Sequence, residues 1–185
     1  MGINTLNLMN HSISTRRPIR MPQLIAAARL DNPSPTPVKI GEMRTFVYHA
    51  STRKLPYWDM FPLIFVIDID MSKGIVSGLN LHYLPLDLRK LFFRKLQMRI
   101  NGFPSITPDA KLRITYDVLS QSMQYAEFAP CYKNYLLRNT RTNLIKIDAT
   151  EWEVAINLPV VPFMNANMNT VYSDSRKKVF DRRRM

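Results

Sequence analysis

The sequence predicts an α+β fold: a small, bent antiparallel (SH3-like) sheet, an inserted helical segment, and extended arms at both ends. Three observations predict it. Strand-type segments joined by a short turn fill residues 43 to 84, helix-periodic segments take over at residue 87, and proline and basic residues dominate the two ends. On this reading residues 1–40 are an extended N-terminal arm, 41–163 a globular body and 164–185 a basic C-terminal tail.

The arm carries Arg16, Arg17 and Arg20, then a short helix pattern from Pro22 to Leu30. Prolines at 33, 35 and 37 fix φ and push the residues before them to extended backbone, so this piece reads as a strap. "MRTFVYHA", from Met43, is rich in strand formers. "FPLIFVIDID" is a second strand, and Ser72-Lys73-Gly74 is a turn leading to a third, "IVSGLNLHYL", which makes a hairpin. Helical spacing then appears, with Asp87 as N-cap and Leu88, Leu91, Phe92 and Leu96 on one face. Thr107 and Pro108 open a helix over 108–126, and "APCYKNYLLRNTR" reads as a third, over 129–141. Leu144 to Asp148 returns to strand character, and Asp148 or Thr150 caps a short helix in "DATEWEVAINL". The last residues, from Met164, are polar and then basic, which reads as a solvated or partner-bound tail.

Of 185 residues, 26 are Lys or Arg and 14 are Asp or Glu, a net charge of +12. Such an excess favours a polyanion or the acidic surface of another protein. One cysteine, Cys131, leaves no intrachain disulfide and no Cys-based zinc site. The apolar run Leu63–Ile67 is too short to span a membrane, and the first residues lack a signal-peptide pattern. No Walker loop, dinucleotide fingerprint or zincin motif is present, so no cofactor is expected.

Asp68 and Asp70 stand two apart in a strand and share a face, so they are the candidate metal ligands. A metal reading needs a third carboxylate, and nothing ties Glu151 or Glu153 to the pair. The preferred reading is a strand end that meets solvent or Lys73. His82 sits among core-type residues and reads as structural, and Cys131 as packed on its helix. The basic clusters carry the stronger signal. Arg89, Lys90, Arg94, Lys95 and Arg99 form one; Arg176, Lys177, Lys178, Arg182, Arg183 and Arg184 form the other. Such groups bind phosphate with salt-sensitive affinity, and Phe92, Phe93 and Phe180 are placed to stack on bases. A solvated helix face and a protein-docking tail are the competing readings.

The body resembles a family of tailed-phage virion proteins. The resemblance rests on Gly41-Glu42-Met43, Leu55-Pro56-Tyr57-Trp58-Asp59, Phe61-Pro62-Leu63 and Gly78-Leu79-Asn80-Leu81-His82-Tyr83-Leu84-Pro85, with a second block from Cys131 to Val160. Trp58 stands where the family pattern has a second tyrosine. Members in contractile-tailed phages are often labelled DNA end protector or head-completion proteins. The resemblance covers residues 41 to 163, leaves the arm and tail outside, and makes Pro56-Tyr57-Trp58-Asp59 a structured turn feeding the second strand, with His82 and Tyr83 as framework at a strand end.

It implies a non-enzymatic virion protein at the head–tail junction that contacts or protects the packaged DNA end. The alternative is a neck, tail or baseplate adaptor whose basic arms bind neighbouring subunits. A metal-dependent nuclease using Asp68 and Asp70 is the third reading. Expected partners are other phage structural proteins (portal, neck, tail or baseplate) within a symmetric assembly, and double-stranded DNA ends, with no membrane. The expected location is the virion, and the host cytoplasm during assembly.

Overall fold

The computed structural model describes residues 22–23, 25–26, 36–50, 55–101, 115, 117–121 and 124–184. Within them the class is α+β, built on a five-stranded antiparallel sheet in the order β4-β3-β2-β1-β5. The strands are β1 (Met43–Thr45), β2 (Leu63–Asp70), β3 (Ile75–Asn80), β4 (Tyr132–Leu136) and β5 (Ile145–Ile147). The helices described from end to end are α1 (Leu86–Asn101), α2 (Trp152–Asn157) and α3 (Met168–Arg183). Among the described residues no helix is long and apolar enough to cross a membrane.

The apolar run in β2 is continuous because both faces of the sheet are covered. Leu63, Phe65 and Ile67 point into a core with Phe92, Phe93, Leu96, Trp152, Ile156, Phe163 and Val171. Ile64 and Val66 point the other way, onto Phe46, Tyr48, Val76 and Tyr135. In that second core Phe46, Tyr48 and Tyr135 meet edge to face, with centroids 5.0–6.2 Å apart. The expected hairpin is β2–β3, its turn closed by Gly74 at φ 63°. Its register shifts between Val66 and Asp68. The bulge keeps Ile69 on the second core's face and turns Asp68 outward. Gly78 lies where β3 crosses β2. A Cβ there would stand 2.7 Å from the Phe65 carbonyl oxygen and 3.1 Å from the Ile64 side chain.

The strand expected at Leu144 to Asp148 forms, as β5 on β1. The short helix forms as well: Asp148 Oδ1 accepts from the Thr150 amide at 3.0 Å, and a 3-10 turn over Ala149–Glu151 runs into α2. The helix expected over 129–141 does not form. Its residues make β4 on the edge of β3, followed by a 3-10 turn at Leu137–Asn139. Tyr135 decides this, because only in a strand does it both join the second core and let its hydroxyl meet Asn80 Nδ2 at 2.9 Å. Cys131 is buried, as expected, but just before a strand rather than on a helix, and burial pushes its thiol up to about 12. Of the helix expected over 108–126, Thr115 and residues 117–121 are helical, while 107–114, 116, 122 and 123 lie outside the described residues.

Residues 1–21, 24 and 27–35 of the expected arm also lie outside the described residues, Arg16, Arg17 and Arg20 included. The following residues, Thr36 to Lys39, are held on the sheet by an ion pair. Arg44 is fully buried and reaches Glu42 Oε2, the Thr36 hydroxyl at 2.7 Å, the Pro37 carbonyl at 2.6 Å and the Leu144 carbonyl at 2.7 Å. Burial pushes the Glu42 carboxyl up, but Arg44, the Lys39 amide and Lys146 outweigh it and hold the carboxyl below its ordinary value.

Candidate nucleic-acid interface

The motif residues meet in one buried network. Asp59 Oδ2 accepts from Asn80 Nδ2 at 2.9 Å and from His82 Nδ1 at 2.8 Å, and Asp59 Oδ1 accepts from the Phe61 amide at 2.9 Å. The carboxylate fixes the His82 proton on Nδ1. With His82 1% and Asp59 4% exposed, this is framework, which the sequence reading had for His82 but not for Asp59. It joins the Trp58-Asp59 turn to the end of β3 and seats the Tyr83 ring against Tyr57 and Phe163.

On that framework sit the basic helices. In α1 the inward residues are Arg89, Phe92, Phe93 and Leu96, at i, i+3, i+4 and i+7, while Leu88 and Leu91 are about half exposed. The inward face is therefore one residue out of phase with the expected Leu88-Leu91-Phe92-Leu96 face. Arg89, a candidate phosphate contact, is 3% exposed and cannot touch a duplex. It donates to the Ile156 carbonyl at 3.1 Å and bonds Tyr172, so it ties α1 to α2 and α3. Lys90, Arg94, Lys95 and Arg99 face solvent.

The basic tail is a helix packed on the body. Asn167 caps α3 by accepting from the Thr170 amide at 2.9 Å. Val171 is fully buried and Ser175 nearly so. Tyr57, pushed up to about 12 by burial first and then by Asp174, hydrogen-bonds that residue, and Arg183 pairs with Glu127. The segment from Met164, expected as a solvated or partner-bound tail, forms α3, to which Val171, Ser175 and Val179, four residues apart, give an inner face. Arg176, Lys177, Lys178, Arg182, Arg183 and Arg184 are exposed, and the Arg184 guanidinium lies 4.3 Å over the Phe180 ring.

A groove of about 630 Å³ runs along α1. Among the described residues Leu88, Leu91, Met98 and Tyr125 give it an apolar floor, and Lys95 and Arg99 give it a basic rim. Glu127, which also lines it, carries Arg183 from the end of α3. Phe92 and Phe93 are buried and cannot stack on a base; Phe180 is exposed.

The comparison with family models decides the relationship. The model of the phage T4 terminal DNA protecting protein matches residues 27–182. The chain belongs to that family. No match was found among curated proteins or solved structures. The match runs further than the 41–163 resemblance and takes in nearly all of α3, so the basic helix lies within the stretch shared with the phage T4 terminal DNA protecting protein family.

The two carboxylates of β2 have local work in this family member. Asp70 accepts from Lys73 Nζ at 2.8 Å, the Ser72 hydroxyl at 2.6 Å and the Lys73 amide at 3.1 Å, which hold its carboxyl well below the usual carboxylate range. Asp68 accepts from the Ile69 amide at 2.9 Å. Among the described residues no three His, Cys, Asp or Glu side chains are grouped to hold a metal ion.

Sequence reasoning missed two charged features. Glu42 and Arg44 flank Met43 at the start of β1, where a buried arginine has no periodic signature. Lys133, inside the misread 129–141 segment, lies with its Nζ 4.0 Å from the centre of the Tyr83 ring.

Proposed function

We propose that the chain is a non-enzymatic structural protein of a tailed-phage virion that binds and shields the ends of packaged duplex DNA at the head–tail junction. The observation that carries this reading is the family match over residues 27–182. The exposed cations of α1 and α3 supply the chemistry. Each Lys or Arg that neutralises a backbone phosphate releases a condensed counterion, which gives affinity without sequence preference. An agent that caps every end needs that property. Shielding then requires only that a rigid body occupy the terminal base pairs, and the double-faced core provides the rigidity.

A second reading is a neck, tail or baseplate adaptor that meets acidic faces of neighbouring subunits such as the portal, within a symmetric assembly. It draws on the exposed Leu88, Leu91, Met98 and Tyr125 beside the basic rim. Competition between linear duplex DNA and a closed circle of the same sequence separates the readings. End binding gives preference for the linear form in proportion to its ends. Equal competition, or no binding to either with normal incorporation into particles, supports the adaptor.

A further inference from the structure

Resting on the DNA reading above, we propose that Lys133, seated on the Tyr83 ring, forms with Lys178 of α3 a phosphate-binding site for duplex DNA, taking either a backbone or a terminal phosphate. Lys133 projects from β4, the edge strand of the sheet, and its neighbour Tyr132 is exposed. Its ammonium rests on the face of Tyr83, whose position is fixed by the Phe163 ring 4.9 Å away. Helix α3 packs against the Leu81–Tyr83 turn and brings the charge of Lys178 to bear on Lys133. Neither lysine has a carboxylate partner among the described residues.

Two cations brought together without an anion are in an unfavourable arrangement, since burial and like charge both oppose the ammonium form. For Lys133 those two causes, burial first, lower the pKa to about 8. A phosphate satisfies both groups at once with charge-assisted hydrogen bonds. The competing account is packing alone, with the lysine stem covering Tyr83. The two accounts differ in whether the charge matters.

The other groups acting on Lys133 are Lys178, Cys131 and Tyr83. The Cys131 thiol lies near 12 and the Tyr83 hydroxyl is pushed higher still by burial, so neither changes charge between pH 7 and about pH 9. Lys133 does. At fixed salt, DNA affinity should therefore fall as pH rises through about 8 and level off once Lys133 is neutral.

The test is equilibrium binding of a short duplex by the full chain, titrated with salt at pH 7 and pH 9. Lys133→Met keeps the stem on the ring and removes the charge. It should weaken binding roughly tenfold at low salt and lower the log–log salt slope by about one. Lys133→Arg should bind as wild type at pH 7 and lose the drop at pH 9. Lys178→Met should lower the slope by about one as well. An equal loss on closed circles and on 5′-phosphorylated and dephosphorylated duplexes assigns a backbone phosphate; a loss confined to the phosphorylated duplex assigns the terminal one. If wild type binds DNA and Lys133→Met, with an unchanged melting temperature, keeps the full slope, the site is refuted and the DNA reading stands. If wild type binds no DNA, the DNA reading falls and inorganic tripolyphosphate decides. Binding that Lys133→Met removes retains a phosphate site, and no binding refutes it.

Discussion

Arg89 and Arg94 lie five residues apart in one basic cluster, yet burial gives them opposite roles. Arg89 is closed in by Ile156 and Tyr172; Arg94 faces solvent. Removing the buried guanidinium leaves the Ile156 carbonyl and the Tyr172 hydroxyl short of a partner, at a cost of about 1–3 kcal/mol. Arg89→Met should thus lower the melting temperature and leave the salt slope of DNA binding unchanged, whereas Arg94→Gln should do the reverse. Equal salt slopes in both variants would contradict this assignment. Glu42 gives a second test at this scale. Its carboxyl is held below the ordinary 4.5, so its contribution is complete above that value and is lost as pH falls through the lower, folded value. Glu42→Gln strands the buried Arg44 charge and should cost about 3 kcal/mol at neutral pH. Chemical denaturation should show the gap to wild type closing in acid. The sequence made the acidity of Asp68 and Asp70 visible, but not their work. A bulge at residue 67 and a turn that consumes Asp70 are decided by cross-strand register.

At the scale of elements, the β2–β3 hairpin, β5 and α2 were legible because each carries its own punctuation: Ser72-Lys73-Gly74, a short β-branched run, and Asp148. The phase of α1 was not, because Leu88 and Leu91 look more like core than Arg89 does; the inner face is settled by Phe93 and by the helix ends that need Arg89. Segment 129–141 has Tyr132, Tyr135 and Leu136 at helical spacing, yet β3 offers an open edge whose hydrogen bonds its backbone can complete. Helix α3 was hidden by its own charge, since cations outnumber the three residues of its inner stripe. It makes the chain's end part of the body. Limited proteolysis of isolated protein should spare residues 168–183 as long as the sheet, and truncation after Asn167 should expose Phe163 and lower stability. Rapid cleavage within 168–183 in an otherwise intact protein would show that α3 does not hold to the body.

For the whole molecule, the central claim is that a chain of net charge +12 presents its cations to duplex ends and blocks access to them. Class was readable from segment patterns and charge from composition; the arrangement of cations was not, because Lys133 and Lys178, like Glu127 and Arg183, are brought together only by the packing of α3. The most direct measurement is the rate at which exonucleases of both polarities digest linear duplex DNA preincubated with the protein, beside the rate at which an endonuclease cuts the same DNA. The account predicts that wild type slows both exonucleases at protein levels matched to the number of ends, spares endonuclease cutting of the interior, and loses this protection when Arg94, Lys95, Arg99 and Arg182 are changed together to Gln in a folded protein. Exonuclease digestion that proceeds at the rate of naked DNA, with the protein at saturating concentration, would contradict it.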